Sequence, residues 1–256
     1  MTITFLKYQG TGNDFIMIDN RDGALRFSSE QIVRLCDRKF GVGSDGVVLI
    51  EPHSSEDFYM NFYNPDGSQS FCGNGSRCAV AFARQLGMVG NHGMFGAIDK
   101  PHAFVVNDDE IAIQMRDVEA VKWEESQCVI QTGSPHFIQL AEDPDKLDVA
   151  REGAAIRYSS RFAKDGINVN FVRMGEGELW MRTYERGVEA ETLSCGTGVT
   201  AAALSLAALQ PSVSEVLVHT RGGDLKVKLE RTVDGGFHDV WLCGPAKSVF
   251  QGTIEL

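Results

Sequence analysis

The chain repeats four short anchors in the same order, and a duplication on this scale constrains its fold more than any other feature. Thr11-Gly12-Asn13-Asp14-Phe15-Ile16 is answered by Thr132-Gly133-Ser134-Pro135-His136-Phe137-Ile138. Gly41-Val42-Gly43-Ser44-Asp45-Gly46-Val47 is answered by Asp165-Gly166-Ile167-Asn168-Val169-Asn170-Phe171. Met60-Asn61-Phe62-Tyr63-Asn64 is answered by Met181-Arg182-Thr183-Tyr184-Glu185, and Cys72-Gly73-Asn74-Gly75 by Cys195-Gly196-Thr197-Gly198. Any one match could arise by chance; four in order indicate two copies of one unit. The join falls near Arg116 to Lys122. No Pro/Gly/Ser-rich linker marks it, so the halves are expected to pack closely.

Local patterns place elements around the anchors. Phe15 to Ile18, Val47 to Ile50, Phe58 to Tyr63, Phe104 to Val106, Ile111 to Met115, Val169 to Val172, Leu179 to Tyr184, Val216 to His219 and Leu225 to Leu229 are short, β-rich and bounded by turn residues. A helix is expected over Ser29 to Asp37, with Ser28 or Ser29 as its cap. Two more follow the cysteines, Ser76 to Leu86 and Val199 to Leu209. Both are apolar on nearly every face, and such a helix must be buried all round. The expected class is α+β: two pseudo-symmetric domains, each a mixed curved β-sheet or barrel wrapped around a central buried helix.

Bulk properties narrow the function classes. The 256 residues suffice for one large or two small cores. A net charge of -11 argues against nucleic acid or an anionic membrane as the main partner. No apolar run approaches the roughly 20 residues needed to span a bilayer, and the start of the chain lacks the pattern of a signal peptide. Six irregularly spaced cysteines do not read as a disulfide framework. A cytoplasmic enzyme with reduced thiols is expected.

The paired cysteines carry the chemistry. A thiol at a helix start lies beside unpaired backbone N–H groups and the positive end of the helix dipole, and both lower its pKa. The same N–H groups can cradle a carboxylate. If the two helix starts share a cleft, one thiolate could take an α-proton while the other thiol returns one to the opposite face. That inverts a stereocentre without a cofactor. Donors aimed at the carboxylate would stabilise the carbanion as it gains enolate character.

The longer motifs resemble the diaminopimelate epimerases over essentially the whole chain. They are Lys7 to Phe15, Asn64-Pro65-Asp66-Gly67-Ser68, Cys72 to Cys78, Gly133-Ser134-Pro135-His136, Gly166-Ile167-Asn168-Val169, Tyr184-Glu185-Arg186-Gly187, Cys195 to Gly198 and Gly244-Pro245-Ala246. The resemblance implies an epimerase of a diamino diacid, free of pyridoxal phosphate and metal, acting as a homodimer with its active site in the cleft between the domains. It implies Cys72 and Cys195 as the acid/base thiols, with His136 and Glu185 tuning them. Gly73-Asn74 and Gly196-Thr197 would bind the reacting carboxylate; Asn13, Asn64, Asn168, Glu185 and Arg186 would hold the distal end. The final segment would cross back, giving an N-terminal domain of residues 1–118 plus about 245–256 and a C-terminal domain of 119–244. Gly46 stands where many members carry a substrate-binding Gln, Ser134 where many carry Asn, Lys100 where Gly is frequent, and Phe250 where a dimer-contact Tyr is common.

Cys36, Cys78, Cys128 and Cys243 lack the Gly-x-Gly context and are expected to be packing residues. No zinc-like spacing accompanies Cys72 and Cys78. His136 alone would be an ordinary hydrogen-bonded histidine. The acidic run from Asp143 to Asp148 is expected to be solvated surface. A proline or hydroxyproline epimerase is the nearest alternative, and a thiol redox switch the alternative from another class.

Overall fold

A computed structural model describes all 256 residues, Met1–Leu256. In chain order the first half forms β1 (Thr2–Gly10), β2 (Asn13–Asp19), α1 (Ser29–Cys36), β3 (Val47–Glu51), β4 (Phe58–Tyr63), α2 (Gly73–Gln85), β5 (His92–Gly96), β6 (Pro101–Asn107) and β7 (Glu110–Gln114). The second half forms β8 (Trp123–Glu124), β9 (Gln127–Gln131), β10 (Pro135–Leu140), α3 (Val149–Arg157), β11 (Asn168–Met174), β12 (Glu178–Glu185), β13 (Ala190–Thr192), α4 (Gly196–Leu209), β14 (Glu215–Thr220), β15 (Gly223–Arg231), β16 (Phe237–Pro245) and β17 (Lys247–Glu255). One compact unit comprises Met1–Ile113 with Gly244–Leu256; the other comprises Gln114–Cys243.

Strand pairing makes the duplication explicit. In the first unit β1 runs antiparallel to β2, β2 parallel to β3, β3 antiparallel to β4, β4 parallel to β5, and β5 to β6 to β7 antiparallel. The second unit repeats this order through β9, β10, β11, β12, β14, β15 and β16. The registers agree as well. Ile16 pairs with Val47 and Val47 with Tyr63, as Phe137 pairs with Val169 and Val169 with Tyr184. Phe15 and Val48 therefore stand in the first unit where His136 and Asn170 stand in the second. The sheets do not close, so the barrel form of the expectation gives way to open sheets.

The first unit's sheet is covered on both faces. Phe15, Met17, Val48 and Ile50 pack with Ala79, Val80, Phe82 and Ala83 of α2. Ile16, Ile18, Val47 and Leu49 pack with Ile32 and Leu35 of α1. Alternate strand residues point to opposite faces, so burial on both sides requires unbroken apolar runs. Ser28 and Gln31 form a capping box that starts α1. In the second unit Phe137, Val169 and Phe171 face α3 with Val149, Ala154 and Ile156. The residues between them, His136, Asn168 and Asn170, consequently face α4. Every α4 residue from Gly198 to Ala207 is buried, as its apolar composition demands.

Candidate active site

Each cysteine of the repeated motif is the N-cap of its helix. Cys72 precedes α2 with φ -133° and ψ 111°, and Cys195 precedes α4 with φ -125° and ψ 112°. The extended backbone holds each sulfur beside the opening turn. Gly75 N–H donates to Cys72 Sγ at 3.4 Å. Cys72 is half-buried and Cys195 is buried.

In the first unit a tight hairpin delivers Asn13 to Cys72. Gly10 pairs with Asn13, and the two residues between them, Thr11 and Gly12, have φ +50° and +80°. Such a turn matches the twist of the flanking strands; a β-branched residue at positive φ is strained, and such strain gathers at functional sites. Asn13 Nδ2 donates to Asp45 Oδ2 at 2.7 Å. Its Oδ1 receives Asn74 Nδ2 at 3.2 Å and lies 3.9 Å from Cys72 Sγ. Asn74 Oδ1 in turn accepts from Arg77 Nη2 at 3.0 Å, and Arg77 Nε donates to Pro245 O at 3.3 Å. Asp45 also accepts from Arg38 at 2.8 Å, and Arg38 and Lys7 both pair with Asp14.

The second unit surrounds its thiol differently. Thr197 Oγ1 lies 3.5 Å from Cys195 Sγ, 2.9 Å from His136 Nε2 and 3.3 Å from Ser134 Oγ. His136 is fully buried. Burial, with a smaller contribution from the Arg186 charge, lowers its pKa to about 3, so the ring is neutral. Asn168 Nδ2 donates to Ser134 Oγ at 3.3 Å and to Pro135 O at 3.0 Å, while its Oδ1 accepts the Arg186 N–H at 2.9 Å. Arg186 Nη1 donates to Asp165 O at 2.9 Å, and Glu185 Oε2 accepts from Thr192 at 2.8 Å.

Thus Asn13, Cys72 and Asn74 form one cluster, and Ser134, His136, Asn168, Arg186, Cys195 and Thr197 another. Asn64 lies in the turn leading to Cys72 and is held by Ser68, its Nδ2 3.0 Å from Ser68 Oγ. Gly46 has no space for a side chain: a Cβ there would lie 2.4 Å from Phe62 Cε2 and 2.8 Å from Tyr63 O. Three residues that the sequence does not single out also take part: Asp45, which holds Asn13, Asn170, which lies against His136 Nδ1, and Thr183, which donates to Asn170. Burial raises the Cys78 and Cys128 thiols to about 12 and also raises Cys36, which suits packing residues. No helix is long and apolar enough to cross a membrane.

Solved structures share this fold along the whole chain. A phenazine biosynthesis protein of the PhzF family from Bacillus anthracis matches with TM-score 0.76 at 13% identity, covering 100% of both chains. A hydroxyproline epimerase from Agrobacterium vitis, with bound trans-4-hydroxy-L-proline, matches with TM-score 0.72 at 15% identity, covering 100% of this chain and 93% of that one. These likenesses establish the two-unit α+β fold. The family model for diaminopimelate epimerase matches residues 5–124 and 128–241. A diaminopimelate epimerase of Flavobacterium psychrophilum is 46% identical over 256 residues, covering 97% of this chain and 98% of the relative. One of Chlorobaculum tepidum is 40% identical over 264 residues, covering 96% and 99%. The chain belongs to the diaminopimelate epimerase family, a family of isomerases.

Proposed function

We propose that the protein interconverts LL- and meso-diaminopimelate, with Cys72 and Cys195 as the two acid/base groups, and so serves lysine and peptidoglycan precursor synthesis. The observation that carries this reading is the cysteine N-cap at each of two equivalent helices. One thiolate takes the α-proton and becomes a thiol. The electron pair left on the α-carbon spreads into the carboxylate, where backbone N–H groups of Gly73-Asn74 and Gly196-Thr197 meet the growing charge. The other thiol gives its proton to the opposite face and becomes the thiolate. Protons and charge balance, and the enzyme ends with its thiol states exchanged, ready for the reverse direction. These steps call on no cofactor.

Asn13, Asn64, Asn168, Glu185 and Arg186 suit a substrate with a second amino acid end, because a guanidinium forks onto a carboxylate while amides and a carboxylate meet an ammonium. The absence of a side chain at Gly46 removes one donor, and Ser134 Oγ supplies a shorter one where Asn is common. A cytoplasmic setting fits a biosynthetic family. A homodimer built on β17 fits its exposed Val249 and Phe250, with Phe250 forgoing the hydroxyl of the usual Tyr.

The test is incubation with LL-diaminopimelate in D₂O under reducing conditions, following α-proton exchange and meso product. Exchange is expected in the parent and abolished in both Cys72→Ala and Cys195→Ala. Full activity of either variant overturns the two-thiol mechanism. Exchange with proline but not with diaminopimelate overturns the substrate.

A further inference from the structure

Behind His136 lies a polar chain that the reaction scheme above does not use, and it exists in only one of the two units. Asn170 is completely buried. Its Nδ2 faces Phe137 O at 3.2 Å and His136 Nδ1 at 3.2 Å, and its Oδ1 receives the Thr183 hydroxyl at 2.9 Å. A backbone carbonyl only accepts, so the group facing Phe137 O must be the NH₂. That same NH₂ faces His136 Nδ1, which must then be the unprotonated nitrogen. The ring proton is left on Nε2, 2.9 Å from Thr197 Oγ1. Thr197 Oγ1 thus accepts from His136, and Ser134 Oγ, itself taking a proton from Asn168, is placed to fill its second lone pair at 3.3 Å. The remaining proton of the Thr197 hydroxyl points to Cys195 Sγ at 3.5 Å.

We propose that Asn170, anchored by Thr183, is a positioning residue for this active site: by fixing the tautomer of His136 it makes the Thr197 hydroxyl a donor to Cys195 and favours the thiolate there. The proposal rests on the reading of Cys195 as an acid/base thiol. The packing supports it independently. A Cβ at Gly198 would lie 2.7 Å from Asn170 Oδ1 and 3.2 Å from His136 Cε1. The last glycine of Cys-Gly-Thr-Gly therefore admits this chain to the helix start. The matching positions in the first unit are Phe15 and Val48, both apolar and buried, and there the side chain 3.9 Å from the thiol is the acceptor oxygen of Asn13. The side chains beside the duplicated thiols thus differ: a hydroxyl donor at Cys195, and at Cys72 an amide acceptor, with the Gly75 N–H as that thiol's donor.

Three measurements test this. Two-bond ¹H–¹⁵N correlation on the parent protein should show His136 neutral with its proton on Nε2; a proton on Nδ1 overturns the proposal whatever the variants do. Asn170→Asp presents an acceptor to Nδ1 and reverses the chain. Iodoacetamide labelling read peptide by peptide should then slow about tenfold at Cys195 at neutral pH, its pH midpoint moving upward, while Cys72 is unchanged. An unchanged Cys195 rate in folded Asn170→Asp overturns the proposal. Thr183→Val should slow Cys195 in the same direction by less and lower kcat with KM kept, and Thr183→Ser should restore both. Equal behaviour of Thr183→Val and the parent also overturns it. The charged group facing His136 is Arg186, and it is untouched in all these variants. Labelling and tautomer need no substrate, so a parent inactive on diaminopimelate would sink the function reading and leave this result standing.

Discussion

The amide nitrogen of Asn13 donates to the Asp45 carboxylate at 2.7 Å, and this turns the Asn13 carbonyl oxygen toward Cys72. A carboxylate only accepts, so the orientation is set by Asp45. The Arg77–Asn74–Asn13–Asp45 bonds all run in one direction, a relay that runs from the buried Arg77 out to the half-buried Asp45 and in which each member depends on the next.

Asp45→Ala should therefore disturb Cys72 without touching it. With its acceptor gone, Asn13 can present either end to the thiol. A bond to a charged group contributes about 1.5–3 kcal/mol, and a loss at the low end of that range corresponds to roughly a tenfold fall in kcat/KM. Steady-state rates on both diaminopimelate isomers would check this; a parent-like rate would show that Asn13 is held by other means.

Stability should respond unequally to the two last glycines of the repeat. At Gly198 an added methyl meets Asn170 Oδ1 at 2.7 Å, whereas at Gly75 its nearest neighbour is the flexible end of Met60 at 3.2 Å, with Cys72 Cβ next at 3.4 Å. Gly198→Ala should lose about 1–2 kcal/mol by overpacking, a fall of a few degrees in thermal midpoint. Gly75→Ala should show a smaller fall. Equal midpoints would contradict the packing described.

Restoring the family's glutamine at position 46 should fail unless Phe62 shrinks. The Phe62 ring lies where the Cβ would go, so Gly46→Gln should cost about 1–3 kcal/mol. Adding Phe62→Leu should recover part of it. Urea midpoints of the single and double variants measure the coupling.

The buried His136 should make the fold acid-sensitive. Its pKa is lowered to about 3, against roughly 6.5 in an unfolded chain. Between these values the unfolded chain takes up a proton that the folded one refuses. Stability is thus retained above about 6.5 and lost as pH falls toward about 3, on the order of 1 kcal/mol per pH unit. Urea midpoints at pH 7 and pH 5 should differ less in His136→Gln than in the parent.

Much of this architecture was legible in the residues because both faces of the central strands are covered. Phe58 to Tyr63 matches β4, and Phe15 to Ile18 and Val47 to Ile50 lie inside β2 and β3. Other elements gave weaker signals. α3 carries Gly153 in its middle, a poor helix residue that is needed because a Cβ there would meet Tyr184 Cβ at 2.4 Å. The acidic run from Asp143 to Asp148 lies at the solvated surface, as expected, and its caps were the part not read: Asp143 receives Asp145 N–H and Asp148 receives Arg151 N–H. The thiols and His136 stood out through the duplication. Asn170 did not, because its importance comes from the face of β11 it occupies, and a strand's inward face is known only once its partners are.

β17 pairs with β1, joining Lys247–Glu255 to Thr2–Gly10 along an antiparallel ladder. One edge of β1 is paired early by β2, but the other must wait for β17. During synthesis the residues of the second unit all emerge before the edge of the first unit's sheet can be covered, so the half that begins first is finished second. The relay through Arg77 inherits that delay, because one of its acceptors is Pro245 O. The surroundings of Cys72 are completed only after the whole second unit has been made, whereas the residues around Cys195 are by then already in hand.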